Sequence, residues 1–280
     1  MITSSSNSRM KYIIQLNKKA RTRRQERVFV VEGIKMCLEA PREQIQEMYV
    51  SESFLADHCN QERLQGFAYE IVADGVFSKI SDTMTPQGIL CLVQMPQYTL
   101  EDLLGAVSGH CRTDSFSEKA DSYGQEGGQN APHLLILENI QDPGNLGTMM
   151  RAGEGAGVTG VIMDGTTVDI FNPKTIRSTM GSLFRVPFYV TDNLSETLGV
   201  LKKNGVFLYA ACLDGAQLYD EPDYTLPCGF MIGNEANGLR AQTAALADVR
   251  IRIPMQGKVE SLNAAVASAL LMYEASRQRR

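Results

Sequence analysis

Three segments in the C-terminal half of this chain have residue types and spacings that could form a binding or catalytic site. They are residues 139–157 (NIQDPGNLGTMMRAGEGAG), 231–240 (MIGNEANGLR) and 253–274 (IPMQGKVESLNAAVASALLMYE). Each joins the end of an apolar run to a turn or to the start of a helix, where backbone amides and short polar side chains can reach a ligand. Ligands of open parallel sheets bind beyond the carboxyl ends of the strands, so we expect the three segments to meet at one site.

The first segment begins where the apolar run LLIL ends, and Asp142-Pro143-Gly144 predicts a turn before a helix that begins near Asn145. Asn is a favourable N-cap, so Asn145 could simply cap this helix. Arg151 follows within two helical turns and could be a surface charge. The residues alone do not decide between two interpretations: Asn145 and Arg151 are a polar pair of an active site, or they are the cap and a surface charge of an ordinary helix.

The second segment places Gly233 and Glu235 directly after the apolar strand CGFMI. A glycine at the end of a strand lets a ligand approach the backbone. Glu235 could be an ordinary surface acid, but its place just beyond a strand favours a site.

The third segment ends a strand at residues 253–257 and opens the last helix at Ser261-Leu262-Asn263. Ser261 could serve only as the N-cap of that helix. Apolar residues recur at Leu262, Val266, Ala269, Leu270 and Tyr273, a spacing that predicts one buried helix face. Ile253 and Leu262 could therefore be plain core residues.

Residues 155–160 spell G-x-G-x-x-G, the fingerprint of dinucleotide-binding sites. That fingerprint needs a strand before it and a helix after it, whereas a helix precedes and a strand follows here. We therefore expect no nicotinamide site.

The three segments resemble, in order and spacing, the motifs of the SpoU (TrmH) branch of the SPOUT methyltransferases. The pattern N-x-G-x-x-x-R falls on Asn145, Gly147 and Arg151, and the G-x-E pattern falls on Gly233 and Glu235. The likeness is close from residue 134 to the C-terminus and weaker before it. That branch transfers a methyl group from S-adenosylmethionine to a ribose 2′-hydroxyl of structured RNA.

The resemblance implies a C-terminal α/β domain with a parallel sheet and a deep trefoil knot, which dimerises through its catalytic domains. It also implies two sets of site residues. The expected catalytic residues are Asn145, Arg151, Glu235, Ser261 and Asn263, and the expected cofactor-binding residues are Gly233, Asn234, Ile253, Met255 and Leu262.

The net charge of the chain is −5, yet residues 1–36 contain nine Lys and Arg against two Glu, a net of +7. A basic block in an acidic protein is a candidate phosphate-binding patch, although a solvated helix face is the alternative. The run RTRRQERVFVVEGIKMCLEA resembles the start of the RNA substrate-binding domain often fused to SpoU enzymes. We expect RNA contacts from Arg21, Arg23, Arg24, Lys174 and Arg177, although Lys174 and Arg177 could be helix-surface charges. This domain favours ribosomal RNA over transfer RNA as the substrate.

The length of 280 residues allows two domains, and strand-like runs that alternate with helical ones predict an α/β fold for each. The predicted strands are residues 28–31, 47–51, 69–73, 89–95, 134–137, 160–163, 185–190, 206–212, 229–232 and 249–253. Helices are predicted around residues 34–39 and 100–104, between the strands of the C-terminal part, and from a start at Asn172-Pro173.

Residues 107–131 are rich in Ser, Gly, Gln, Asp and Glu and nearly devoid of large aliphatics, so we predict a linker there. It would separate an RNA-binding domain, residues 1–106, from a catalytic domain, residues 132–280. Six cysteines without a C-x-x-C pair and only three histidines give no indication of a metal site.

No segment approaches the roughly 20 apolar residues that span a bilayer, and no signal peptide opens the sequence, so we expect a cytoplasmic protein and no membrane partner. A catalytically silent RNA-binding protein of the same fold is the competing hypothesis. It would be expected to lose Asn145, Arg151 or the Gly233 turn, and this chain keeps all three.

Overall fold

The computed structural model describes residues 1–104 and 131–280. The helices are α1 Ser8–Lys18, α2 Ala20–Glu26, α3 Ile34–Glu39, α4 Glu52–Leu55, α5 His58–Arg63, α6 Asp74–Ile80, α7 Leu100–Leu104, α8 Pro143–Ala156, α9 Pro173–Thr179, α10 Leu194–Lys203, α11 Ala241–Ala244 and α12 Ala264–Gln278. The strands are β1 Val28–Glu32, β2 Ile45–Ser51, β3 Glu70–Val72, β4 Ile89–Gln94, β5 His133–Leu137, β6 Gly160–Asp164, β7 Phe188–Thr191, β8 Phe207–Ala211, β9 Gln217–Leu218, β10 Cys228–Ile232 and β11 Val249–Arg252.

The chain forms two compact units. The N-terminal unit comprises residues 1–97 together with 169–184, and the C-terminal unit comprises residues 98–168 and 185–280. The predicted linker, residues 107–131, lies outside the described residues except for its last position.

The N-terminal unit has a four-stranded sheet in the order β1-β4-β2-β3. Its first three strands pair antiparallel, and β3 runs parallel to β2. Residues 169–184, although distant in sequence, belong to this unit. Within it, the Phe171 ring lies 4.8 Å from that of Phe29, and the Phe184 ring lies 6.3 Å from it.

The C-terminal unit has a seven-stranded sheet in the order β7-β6-β5-β10-β8-β11-β9, and every neighbouring pair is parallel. The central strands β5, β6 and β10 are buried at every position, as expected of a parallel sheet covered on both faces. Helices α7 and α10 contribute Leu103 and Leu198 to a core cluster with Leu134 and Ile136 of β5. Helices α8 and α12 pack against each other, and α12 also contacts β5 and β10.

The prediction of an α/β fold with a parallel-sheet domain is confirmed. Most strand bounds agree within one or two residues. One start is wrong: the strand expected from Arg185 begins at Phe188, because residues 182–184 form a 3₁₀ turn and Pro187 follows. Helices α1, α2, α4, α5 and α6 and the two-residue strand β9 were not predicted.

The expected order of elements around the G-x-G-x-x-G run is confirmed. Helix α8 ends at Ala156, Gly157 adopts a left-handed conformation with φ of 77°, and β6 begins at Gly160. The glycines thus end a helix and begin a strand, the reverse of a dinucleotide-binding turn.

The predicted buried face of the last helix is wrong. Helix α12 buries Ala265, Ser268, Leu271, Met272 and Ala275. The larger apolar residues that the periodicity selected lie on its exposed side instead: Val266, Leu270 and Tyr273. The buried face combines three small residues with Leu271 and Met272, and it packs against α8 and the sheet.

Candidate active site

The carboxyl edge of the parallel sheet brings the three motifs together through side-chain hydrogen bonds. The Asn145 amide donates from Nδ2 to Oε1 of Glu235 at 3.0 Å. Asn145 Oδ1 accepts a hydrogen bond from Asn263 Nδ2 at 3.0 Å. One residue from each motif therefore belongs to a single chain of contacts, Glu235–Asn145–Asn263, although 118 residues separate its two asparagines.

Asn145 is not the N-cap of its helix, so that alternative is wrong. Helix α8 begins at Pro143, and the Asp142 side chain caps it by accepting from the Asn145 backbone N–H at 2.8 Å. Because Asp142 does the capping, the Asn145 amide is left to bind Glu235 and Asn263.

Asn263, rather than Ser261, caps α12. Its Oδ1 accepts from the backbone N–H groups of Ala265 and Val266, and its Nδ2 binds Asn145. The cap therefore fixes the orientation of a side chain that is also part of the site. Ser261 lies exposed two residues before it, on the rim of the cavity described below.

Glu235 is exposed, and its carboxylate is surrounded by donors. It accepts from the Asn145 amide and from the backbone N–H groups of Gln141 and Asp142, both at 3.2 Å. Partial burial opposes ionisation, but the hydrogen bonds from the Asn145 side chain and from the backbone outweigh it, so the pKa of Glu235 is lowered. The residue is an anion at neutral pH.

Arg151 lies on α8 and its side chain is exposed. Among the described residues it makes no hydrogen bond or ion pair, so the structure does not join it to the Glu235–Asn145–Asn263 chain. Its guanidinium is available to a bound molecule.

A cavity of about 330 Å³ lies beside this chain of contacts, between the loops that follow β8, β10 and β11. We call it the cofactor cavity. All five predicted cofactor-binding residues line it, together with two of the predicted catalytic residues: Gly233, Asn234, Ile253, Met255, Leu262, Glu235 and Ser261. The rest of the wall is mostly apolar.

Gly233 is required by the fold of its own loop. A Cβ atom at this position would lie 2.1 Å from the carbonyl carbon of Gly238 and from the amide nitrogen of Leu239. The loop closes on itself through two backbone hydrogen bonds between Asn234 and Gly238, at 3.0 and 2.8 Å. The glycine therefore lets this loop fold tightly, and its backbone lines the cavity as a result.

Comparison with known proteins identifies the family. The model of the SpoU rRNA Methylase family matches residues 132–273, which include the first two motifs and all but the last residue of the third. A 23S rRNA (guanosine(2553)-2′-O)-methyltransferase of Bacillus subtilis (strain 168) is 30% identical over 275 residues, covering 97% of each protein. The chain belongs to the SpoU rRNA methylase family.

Solved structures agree with this assignment, and the N-terminal part has its own match. A crystal structure described as an RNA 2′-O ribose methyltransferase is 30% identical, covers 99% of this chain and 98% of its own, and has a TM-score of 0.76. An AdoMet-bound rRNA methyltransferase from Sinorhizobium meliloti is 28% identical, covers 99% and 97%, and has a TM-score of 0.77. The model of an MRM3-like substrate binding domain matches residues 7–91.

This SpoU family member also has a buried ionic cluster at the same sheet edge, which the sequence analysis missed. Glu138 after β5 is 2% exposed and Asp164 at the end of β6 is 5% exposed. Arg240 bridges them: its Nε lies 2.9 Å from Glu138 and its Nη2 lies 3.0 Å from Asp164. The available signal was an acidic residue ending each of two apolar strands, with Arg240 inside the second motif.

Both buried carboxylates also hold the turns that follow their strands. Glu138 accepts from the Arg240 backbone N–H at 2.8 Å and from the Thr243 hydroxyl at 2.5 Å. Asp164 accepts from the Asn139 backbone N–H at 2.8 Å and from the backbone and hydroxyl of Thr167. Burial opposes ionisation of Asp164, but a hydrogen bond from the Thr166 hydroxyl at 2.5 Å, together with those from Asn139 and Thr167, outweighs it and lowers the pKa. Asn139, held in this way, has a φ of 57° in the left-handed region.

The predicted RNA-binding arginines of the N-terminal unit separate into two kinds. Arg21 and Arg24 are exposed on α2. Arg23 is buried: its guanidinium pairs with Asp169 at 2.5 Å and donates to the Leu16 carbonyl at 2.6 Å. Arg23 therefore joins α2 to residues 169–184 within this unit and is not on a surface that RNA can reach.

The two predicted cations of α9 also differ. Arg177 is half-buried and pairs with Asp82 at 2.8 Å, whereas Lys174 is exposed. The predicted start of this helix is confirmed, because the Asn172 side chain caps it at Pro173.

Among residues 1–104 and 131–280, no group of His, Cys, Asp or Glu side chains is arranged to hold a metal ion. None of the described helices combines the length and the apolar character that crossing a bilayer requires.

Proposed function

We propose that this protein transfers the methyl group of S-adenosylmethionine to a ribose 2′-hydroxyl of RNA, and that the RNA is large-subunit ribosomal RNA. The Glu235–Asn145–Asn263 chain beside the cofactor cavity carries the proposal, because it joins one polar residue from each motif. Membership of the SpoU family supports the reaction, and the Bacillus subtilis relative named for a 23S rRNA 2′-O activity supports the substrate.

The cofactor cavity fits S-adenosylmethionine in size and in chemistry. Small-ligand clefts measure about 300–1,000 Å³ and are mostly apolar with a few placed polar groups, and this one is about 330 Å³. Gly233, Asn234, Ile253, Met255 and Leu262 would hold the cofactor, with backbone groups of the tight Gly233 loop binding its polar atoms. The bound cofactor supplies an electrophilic methyl group.

The protein's own task is to place the ribose oxygen and to favour loss of its proton. Asn145 is preorganised for placement because Glu235 fixes one amide hydrogen and Asn263 fixes the carbonyl oxygen. The second amide hydrogen of Asn145 remains to bind a ribose oxygen. Ser261, exposed on the cavity rim, supplies a hydroxyl for the same sugar.

Arg151 acts as an anion-binding group in this proposal. A guanidinium does not give up its proton in proteins, so Arg151 cannot serve as a general base. It anchors an RNA phosphate and stabilises the charge that develops on the ribose oxygen. Its exposure and its lack of partners among the described residues support this role.

The RNA surface of the N-terminal unit consists of exposed cations near its start: Lys11, Lys18, Lys19, Arg21, Arg24 and Arg27. Arg23 is left out because it is buried against Asp169. Residues 1–106 would thus supply RNA affinity and residues 132–280 the chemistry, joined by a linker at 107–131. Exposed Lys174 would extend the RNA contact, whereas Arg177 pairs with Asp82.

We also infer a cytoplasmic homodimer whose catalytic domains contain the trefoil knot of the SPOUT fold. Support for the dimer comes from α12, whose exposed side carries Val266, Leu270 and Tyr273, 49%, 38% and 46% exposed. An apolar stripe at helical spacing is typical of an interface. Sedimentation equilibrium checks the stoichiometry, and Leu270→Glu with Tyr273→Glu should give a monomer.

The experiment that tests the proposed function compares total RNA from cells with and without this protein. We expect one 2′-O-methyl group to be lost from large-subunit ribosomal RNA. Loss of a 2′-O-methyl group from transfer RNA would identify transfer RNA as the substrate instead. Loss of a base methylation would refute the ribose chemistry.

A second experiment tests the RNA surface without deleting it. Removal of residues 1–106 would strip Phe29 from Phe171 and Phe184, so substitution is cleaner. Changing Lys18, Lys19, Arg21 and Arg24 to Gln should weaken RNA binding and flatten its salt dependence, by about 0.7–0.9 in logarithmic slope per lost phosphate contact. Lys203→Gln, in the C-terminal unit, is the control. An unchanged slope would contradict the assignment.

A further inference from the structure

A second cavity, of about 300 Å³, shares residues 234 and 237–239 with the cofactor cavity. We call it the polar cavity. Its remaining wall includes Asn139, Thr166 and Arg240 together with buried Glu138. It therefore lies at the carboxyl ends of β5, β6 and β10, in contact with the loop that carries Glu235.

Arg240 presents a fixed cationic group to the polar cavity. Its Nε and Nη2 atoms are held by Glu138 and Asp164, and its Nη1 atom has no partner among the described residues. The side chain is 62% exposed despite this double anchorage. A guanidinium held in place loses little conformational freedom when its free edge binds a ligand.

The charge of this cluster argues for a neutral ligand. Two carboxylates, Glu138 and Asp164, face one guanidinium, so one formal negative charge remains uncompensated. A phosphate would be repelled by that excess. A neutral group with hydrogen-bond acceptors, such as a nucleobase edge, can accept from Arg240 without meeting this repulsion.

The other polar groups of the cavity also suit a nucleobase. Asn139 Oδ1 accepts from Gln141 Nε2 at 2.6 Å, but its Nδ2 makes no bond with the described residues. Asn237 uses its Nδ2 in a long 3.3 Å contact with Asn234, which leaves its Oδ1 available. The cavity thus offers donors and an acceptor, and amide groups pair readily with base edges.

The polar cavity is directly linked to the proposed methyl-transfer site. The side chain of Gln141 bonds Asn139 and the Thr166 carbonyl at the cavity wall, while its backbone N–H bonds Glu235. One residue therefore spans from the cavity to the carboxylate that orients Asn145.

We propose that the polar cavity binds a base of the RNA substrate, either the base of the methylated nucleotide or that of its neighbour. The inference rests on the proposed function, since it assumes an RNA substrate at this edge of the sheet. Sequence-specific RNA recognition generally uses unstacked bases whose edges are hydrogen-bonded by side chains. Arg240, Asn139 and Asn237 would then be specificity-determining residues.

The test uses GMP, AMP, CMP and UMP as probes, with S-adenosylhomocysteine present to fill the cofactor cavity. Saturation-transfer NMR on the full chain should show magnetisation reaching base protons of at least one nucleotide, and inorganic phosphate should not displace it. Asn237→Ala and Asn139→Gly should each weaken that binding by about fivefold, as loss of one hydrogen bond predicts. Glycine suits position 139 because φ there is 57°.

Asn204→Ala, which removes an exposed amide before β8 at the opposite end of the strands, is the matched control and should leave binding unchanged. The proposal is overturned if no nucleotide binds, if phosphate displaces the nucleotide, or if both cavity variants bind like wild type. None of these outcomes depends on methyl transfer. A failure of the proposed function would instead appear in the RNA mapping.

Discussion

Two sets of carboxylates lie at the same edge of the parallel sheet, and they are held in opposite ways. Glu235 is exposed, and its hydrogen-bond donors among the described residues are neutral amides. Glu138 and Asp164 are buried and share the cation of Arg240. Neutral partners in contact with water can exchange for a ligand, whereas two buried carboxylates held by one cation resist rearrangement. This edge therefore has two parts: an exposed rim around Glu235 that is suited to chemistry, and a support of Glu138, Asp164 and Arg240 that fixes the turns.

The largest expected effect is a loss of stability when the Glu138–Arg240–Asp164 support is disrupted. Arg240→Ala leaves two buried carboxylates without their cation, so we expect a loss of about 3 kcal/mol in unfolding free energy. Urea denaturation measures it. Adding Glu138→Gln should recover part of the loss, because one uncompensated charge disappears. Equal stability of wild type and Arg240→Ala would show that the cluster supports nothing.

Substitutions at residues proposed to act in methyl transfer should have the opposite effect: activity is lost while stability is kept. Arg151→Ala should lower single-turnover methyl transfer by about a hundredfold or more, the scale of removing one transition-state donor. Arg151→Lys should rescue little, since a point charge lacks the planar fork of a guanidinium. Cofactor titration and thermal melting serve as controls. Transfer near the wild-type rate in Arg151→Ala would remove this residue from the site.

A matched pair on α8 sharpens the contrast. Asn145→Ala should damage methyl transfer severely but cost little stability, because its side chain does not cap the helix. Asp142→Ala removes the actual cap and should cost about 1 kcal/mol of unfolding free energy. Denaturation and transfer assays on both variants decide the matter. If Asn145→Ala proved the less stable variant, its role would be structural after all.

The smallest expected effect is on the unfolding free energy at acidic pH. The folded pKa of Glu235 lies below the ordinary glutamate value of 4.5, so its contribution to stability is present above that value and disappears as pH falls through the lower folded pKa. Because Glu235 is exposed, we expect only a few tenths of a kcal/mol. Denaturation from pH 7 to 3 should show a shallower decline for Glu235→Gln. Identical declines would mean that the surrounding hydrogen bonds exert no net effect.

Glu235 could be placed at the sheet edge from the sequence because it follows directly after the apolar strand β10. The structure joins it there to Asn145, and through Asn145 to Asn263, the cap of α12. The sequence contained acidic residues at the ends of two apolar strands, but it could not show that Arg240 bridges Glu138 and Asp164, because the bridge joins three positions that are distant along the chain. The spacing of residues along the sequence does not show which distant positions meet in the folded protein.

The errors on α12 and Arg23 have a common physical origin. Periodicity detects an apolar helix face but does not say whether the chain itself or another molecule covers it, so Leu270 was expected inside and lies outside. Charge density likewise detects a basic block but not the single member that pairs with Asp169. Which neighbour a side chain meets is decided by tertiary packing.

The hydrogen bond between Asn145 and Asn263 also has a kinetic consequence. Its partners are 118 residues apart, and Asn145 and Glu235 are 90 residues apart. Loop-closure entropy delays such distant contacts, and folds dominated by them form slowly. A folding intermediate in which α12 has not docked would lack Asn263 at the rim and Leu262 at the cavity. Chains in which these contacts have not formed should therefore be catalytically inert.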